Sequence, residues 1–180
     1  MTASLFPSPG AGFDQPFEML YACHERVQRS LDLLSRLVAH VRQHGTDDQA
    51  ARAAQDVMRY FDIAAPLHHE DEERHVFPRL EQGPQLREAI ARLRAEHDEF
   101  HRLWGLLRAQ LQAVATGGTG LDIDALAQAA QAFVDIHIDH VATENDQVFP
   151  AARAQVQREG DTARAAIGNE MAHRRGVGTR

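Results

Sequence analysis

Apolar residues recur every three or four positions through most of this chain, which predicts amphipathic helices, and each helical stripe is interrupted by a histidine or an acid. The first predicted helix has Asp14 as N-cap and Pro16 in its first turn. It runs to Gln43 or His44 and closes at Gly45. Its stripe is Phe17, Leu20, Val27, Leu31, Leu34, Val38 and Val41, and His24 fills the one gap. A second helix opens at Thr46, with Gln49 completing a capping box. It passes Val57, Phe61 and Ala64, kinks or restarts at Pro66, and continues through His68, Glu72 and Val76 to Leu80. After Gly83-Pro84, a third carries Leu86, Ile90, Leu93, His97, Phe100, Trp104, Leu107, Leu111 and Val114, with His101 one turn beyond His97. A fourth begins near Asp122 or Asp124 and aligns Leu126, Phe133, His137, His140, Glu144 and Val148, until Pro150 bends or ends it. A last short helix is expected over 161–173.

Short connections make this an all-α chain, an up-down-up-down antiparallel four-helix bundle with a short C-terminal helix. Residues 1–13, rich in Pro and Gly, read as a flexible arm, 14–158 as the bundle, and 159–180 as the C-terminal helix and tail. At 180 residues, one domain is expected. A net charge of −7 argues against a nucleic-acid face, and the single Cys23 excludes an intrachain disulfide and all-cysteine zinc sites. There is no run of eighteen apolar residues to span a membrane, and the first dozen residues do not read as a signal peptide. A cytoplasmic bacterial protein, monomeric or homodimeric, is the expected setting.

Eleven histidines are the unusual count, and their placement carries the chemistry. The phrase His-x-x-x-Glu-x-x-x-x-Phe-Pro occurs twice, as His68/Glu72/Phe77/Pro78 and His140/Glu144/Phe149/Pro150, at a constant offset of 72 residues. A histidine and a glutamate four apart share a helix face. Distance from the loops aligns the groups: His68 and His97 stand 14 residues either side of the Gln82–Gly83 turn, and His97 and Glu144 stand 20 from Gly117 and Asp124. The expected inward set is therefore His24, His68, Glu72, His97, His101, His140 and Glu144. Buried unpaired, each carboxylate would cost several kcal/mol, whereas a pair of cations compensates both. Imidazole and carboxylate without thiolate suit Fe, Mn, Zn or Co. If both glutamates bridge and the ions share one solvent-derived oxygen, one coordination place stays open for a small ligand.

His69 and Glu73 offer the same spacing one residue on, but the Phe-Pro anchor favours His68 and Glu72. His137 is a candidate outer partner or extra ligand. His40, His44 and His173 read as surface residues, and Phe100 and Trp104 as core and water-excluding wall. Replacing Glu73 by Ala is expected to leave metal binding largely intact.

His24-Glu25, His68-His69-Glu70-Asp71-Glu72-Glu73, Phe77-Pro78, His97-x-x-x-His101 and His140-x-x-x-Glu144 with Phe149-Pro150 together resemble the hemerythrin-like, HHE cation-binding domain family over roughly residues 14–158. The resemblance implies a four-helix bundle holding two iron ions in a non-haem di-iron centre, with the seven inward residues as ligands; other divalent metals such as Zn or Mn suit the same donors. The last pair departs from the His-x-x-x-x-Asp of oxygen-carrying hemerythrins, so oxygen carriage does not simply transfer. Relatives that repair iron–sulfur clusters carry an N-terminal cysteine-bearing segment, whereas Cys23 here lies within the first helix.

Three functions compete. The leading one is a binding or sensing module for O2, NO or a related oxidant. A di-iron ferroxidase, oxidase or iron-handling protein is the second, supported only by Glu72-x-x-His75. The third is an interaction bundle that metal merely stabilises.

Overall fold

The computed structural model describes residues 12–177, all helix and turn without a strand among them. The expected arm at 1–13 therefore lies almost wholly outside the described residues. The helices are α1 (Pro16–His44), α2 (Asp48–Arg59), α3 (Ala65–Asp71), α4 (Phe77–Leu80), α5 (Arg87–Ala115), α6 (Ile123–Thr143), α7 (Phe149–Glu159) and α8 (Asp161–Arg174). α2, α3 and α4 form one rod, and α6 and α7 another, so four rods pack in antiparallel sequence with each beside its chain neighbours and the first beside the last.

The prolines act differently from the expected kink or stop. Widened π-turns cover Tyr60–Ala64, Glu72–Val76 and Glu144–Val148, and in each a backbone N–H bonds to the carbonyl five residues back. Each turn begins six residues before a proline: Pro66, Pro78 or Pro150. Proline has no N–H to donate and its ring crowds the carbonyl four residues earlier; widening the preceding turn relieves both problems while the rod continues. The extra residue rotates the next stretch of helix, which is why Ala65 rather than Ala64 is buried.

Local caps also differ slightly. Gln15, not Asp14, stands at the α1 N-cap, with no side-chain bond. The α2 cap is Asp47, not Thr46, and its carboxylate accepts from Ala50 N at 2.8 Å. Asp122 caps α6 as expected, accepting from Asp124 N and Ala125 N at 3.0 Å.

The apolar interior falls into two separate clusters. One holds Val27, Leu34, Val57, Leu107, Leu126 and Phe133; the other holds Leu20, Phe77, Leu93, Phe149, Ile167 and Met171. On every rod the inward polar residues fall between them: His24 between Leu20 and Val27, His68 and Glu72 between Ala65 and Val76, His97 between Leu93 and Leu103, His140 and Glu144 between Phe133 and Val148. The bundle is thus two hydrophobic halves with one polar layer across its waist.

α8 completes the second cluster. Ile167 and Met171 enter it, and Gly168 sits so close to the Phe13 carbonyl that any Cβ there would collide with it. Buried Asp71, on the last turn of α3, accepts from the guanidiniums of both Arg174 and Arg175, the latter at 2.6 Å.

Candidate metal centre

The polar layer is built by the repeat. Glu72 and Glu144 are both fully buried and each opens a π-turn. His68 Nε2 lies 3.0 Å from Glu72 Oε1, and His140 Nε2 lies 3.3 Å from Glu144 Oε2. From α1, His24 Nε2 reaches 3.1 Å from Glu144 and 3.7 Å from Glu72. From α5, His97 Nε2 stands 3.6 Å from the other Glu72 oxygen.

The residue after each glutamate and the Phe of each Phe-Pro serve the histidine contributed by the opposite half of the chain. Glu73 Oε1 accepts from His97 Nδ1 at 2.8 Å, and Phe77 stacks on that ring at 5.6 Å. Asn145 Oδ1 accepts from His24 Nδ1 at 2.7 Å, and Phe149 stacks on it at 4.9 Å. Glu73 and Asn145 are themselves 72 residues apart, so the repeat encodes an outer acceptor as well as the inner pair. His140 Nδ1 is held by Glu96 Oε2 at 2.8 Å. Three imidazoles therefore have Nδ1–H fixed outward and the Nε2 lone pair turned inward, the tautomer a metal ligand requires. His68 lacks such an acceptor; the position that matches Glu96 through the repeat, the residue before the partner-half histidine, is Cys23.

The inward atoms approach one another without hydrogen-bonding. His24 Nε2, His97 Nε2, His140 Nε2 and all four oxygens of Glu72 and Glu144 are buried without a partner, and so is the outward Nδ1 of His68. At about 1–3 kcal/mol for each unsatisfied buried group, these eight atoms would consume a stability that totals only about 5–15 kcal/mol for a typical domain. Their separations fit a shared cation: two donors each about 2.1 Å from one ion and at right angles stand about 3.0 Å apart. Two groups of donor atoms converge within 4.8 Å: His24, His68, Glu72 and Glu144, and His69, Glu72, His97 and His140. Glu72 belongs to both. The donor set is imidazole and carboxylate alone, and each group would suit a cation.

Six of the seven expected residues thus meet: His24, His68, Glu72, His97, His140 and Glu144. The expected inward position of His101 is corrected. It is exposed, because the buried stripe of α5 steps from His97 to Phe100 and Leu103, leaving His101 on the outer flank. His69 stands in its place, its ring stacked on His97 at 4.2 Å. His137 is buried but outside both groups; it donates Nδ1–H to the Phe133 carbonyl at 2.6 Å and stacks on Phe100 at 4.0 Å. Glu96, Asn145 and Asp71 are not singled out by the sequence pattern. The available signal was that each adjoins an inward residue.

The pattern matches a known family. The hemerythrin HHE cation binding domain aligns with residues 15–152. The chain belongs to that family. Among similar proteins, an uncharacterized protein of Haemophilus influenzae is 38% identical over 109 residues, covering 60% of this chain and 63% of its own length. An uncharacterized protein of Mycobacterium tuberculosis is 28% identical over 162 residues, covering 82% of this chain and 61% of its own. This HHE domain chain therefore spans about three-fifths of the length of the curated relatives it matches. α8 lies beyond the segment that the family shares.

Proton occupancy of the HHE site follows from its packing. Burial opposes charge on His24, but the carboxylates of Glu144 and Glu72 outweigh it and raise the pKa to about 10. His140, likewise opposed by burial and favoured by Glu144 and Glu96, rises to about 9. Burial and then the neighbouring Glu144 push Glu72 up to about 8. Near neutrality these protons must leave before cations enter, so metal affinity should climb between pH 6 and 8 by about tenfold per pH unit for each proton released. Competition against a chelator of known affinity reads this directly, and a flat profile would contradict it. The metal-free protein should behave oppositely. Folded pKa values above the unfolded reference give stability that is complete below about pH 6.5 and lost as pH rises through about 9 and 10.

Proposed function

We propose that this HHE domain holds two iron ions in the polar layer and binds a small diatomic or oxidant, O2, NO or peroxide, at a coordination place the side chains leave open. The observation that carries the reading is the set of seven buried, unpartnered inward atoms, with three imidazoles pinned outward by Asn145, Glu73 and Glu96. Imidazole and carboxylate donors without thiolate suit iron, and Zn or Mn can occupy the same set. Iron would supply reversible ligand binding and electron exchange, chemistry that no side chain here offers.

The protein's own part is positioning and exclusion of water. Phe77 and Phe149 cover two of the imidazoles, and Phe100 stands edge-on to His140 at 4.7 Å. A small cavity of ≈ 20 Å³ beside His69 is walled by Phe61, Phe100, Trp104, Phe133 and His137. Its size and apolar walls suit a diatomic better than a metabolite. The ferroxidase alternative loses its one support, because His75 faces Arg174 at 3.0 Å and Glu170 at 3.3 Å and stands outside both donor groups. Among the described residues, no helix is long and apolar enough to cross a membrane; a cytoplasmic setting belongs to the proposal.

Absorption spectra of iron-loaded protein in reduced, oxidised and NO-treated forms test it. Near-ultraviolet charge-transfer bands should change with each treatment. Iron that binds but whose spectrum ignores every small ligand would leave only the metal-stabilised bundle.

A further inference from the structure

A cation bound for the buried polar layer enters from the side of the bundle, and shedding its water shell is costly unless protein donors replace the water stepwise. The seam between α3 and α5 is polar. A groove of ≈ 420 Å³ opens there, with His69, Glu70, Glu73, His97, Asp98 and His101 among its walls. His97 is only 3% exposed, its Nε2 has no partner, and with His69 it belongs to the inner donor group. Two residues of the inner donor group, His69 and His97, thus line the groove.

At its outer edge Asp98 and His101 stand three residues apart on the exposed flank of α5, which puts them on one helix face. Glu70 is engaged by Arg74 at 2.6 Å and Glu73 by Arg94 at 2.6 Å, whereas neither Asp98 nor His101 has an ion-pair or side-chain hydrogen-bond partner among the described residues. Half-buried His69 lies between this edge and the centre, its ring against His97.

Resting on the two-cation reading above, we propose that Asp98 and His101 form an outer transfer site for a divalent cation, which passes to His69 and then into the buried pair. This gives His101 a role one step outside the ligand set, in keeping with its exposed position. It also accounts for His69, which has no counterpart in the second copy of the repeat, where Val141 stands.

The test is anaerobic Co(II) uptake by the full chain after chelation, followed by stopped-flow absorption. The Asp98→Asn/His101→Ala variant should load on the order of tenfold more slowly than wild type, the loss of a guiding charge and a relay ligand. Its final stoichiometry and ligand-field spectrum should equal the wild-type values. Glu99→Gln, on the same helix but outside the groove, should load at the wild-type rate. Unchanged uptake by the double variant, or equal slowing by Glu99→Gln, would overturn the proposal. A lower stoichiometry or altered spectrum would also overturn it, by making His101 an inner ligand. Wild-type protein that takes up no Co(II) would instead overturn the centre itself.

Discussion

Replacing Glu72 and Glu144 together by Gln is expected to take the protein from two bound metal ions per chain to none. Glu72 contributes to both donor groups, with its oxygens 3.0 Å from His68 and 3.6 Å from His97, and Glu144 supplies the second charge facing His24 and His140. Glutamine keeps the volume but removes both negative charges that two divalent ions require. The loss should not reflect unfolding. The variant also loses the charges that favour protonated His24 and His140 in the metal-free fold, so its metal-free melting temperature shows whether it still folds. Elemental analysis alongside thermal denaturation separates the two effects; a variant that folds and still retains two ions would remove the carboxylates from the site. Glu73→Ala should behave differently. Helix spacing alone makes Glu73 look dispensable, but it accepts from His97 Nδ1 at 2.8 Å. Its loss should weaken affinity by about 10–100-fold without changing stoichiometry, as the loss of an outer hydrogen-bond acceptor commonly does.

Asp71→Ala should be among the most destabilising single changes in the chain, at about 3–5 kcal/mol. Asp71 is 1% exposed and receives two guanidiniums from the end of α8. Removing it leaves Arg174 and Arg175 facing each other's charge in a nearly closed site, with only Glu170 at 3.4 Å to compensate Arg174. For a domain of this size the melting temperature should fall by on the order of 10 °C. Adding Arg174→Leu to the Asp71 variant should restore part of the loss, because the unpaired charge goes with it. Urea unfolding measures both; a cost below about 1 kcal/mol for Asp71→Ala would mean that α8 is held by Ile167 and Met171 alone. Since Asp71 precedes Glu72, the same contact ties a helix beyond the family's shared segment to the residue that both donor groups share.

The waist of the bundle was readable because it is written as interruptions. His24, His97 and the His/Glu pairs break apolar stripes whose phase is otherwise regular, and loop lengths set them at one height. His101 and His69 were not separable in that way. On α5, spacings of three and four both keep a residue near the inner face, and only packing of Phe100 against His137 and His140 decides between them. On the second rod, the π-turn before Pro66 inserts one residue, so phase read from Val57 and Phe61 does not carry through to His68 and His69. The turns themselves were partly legible as Phe-Pro and Pro66, but proline signals interruption without saying whether a rod stops, kinks or widens. The N-caps slipped by one residue where adjacent side chains were both competent, as at Thr46 and Asp47. The outer acceptors were hidden for another reason. Asn145 meets His24 across 121 positions and Arg174 meets Asp71 across 103, and no local periodicity encodes such pairs.

Anomalous diffraction at the iron edge, from crystals of iron-loaded protein, addresses the metal pair without intermediaries. Two peaks about 3.5–4 Å apart are predicted, one flanked by His24 and His68, the other by His69, His97 and His140, with Glu72 between them. A single peak, or density at the protein surface with this layer vacant, would contradict the account.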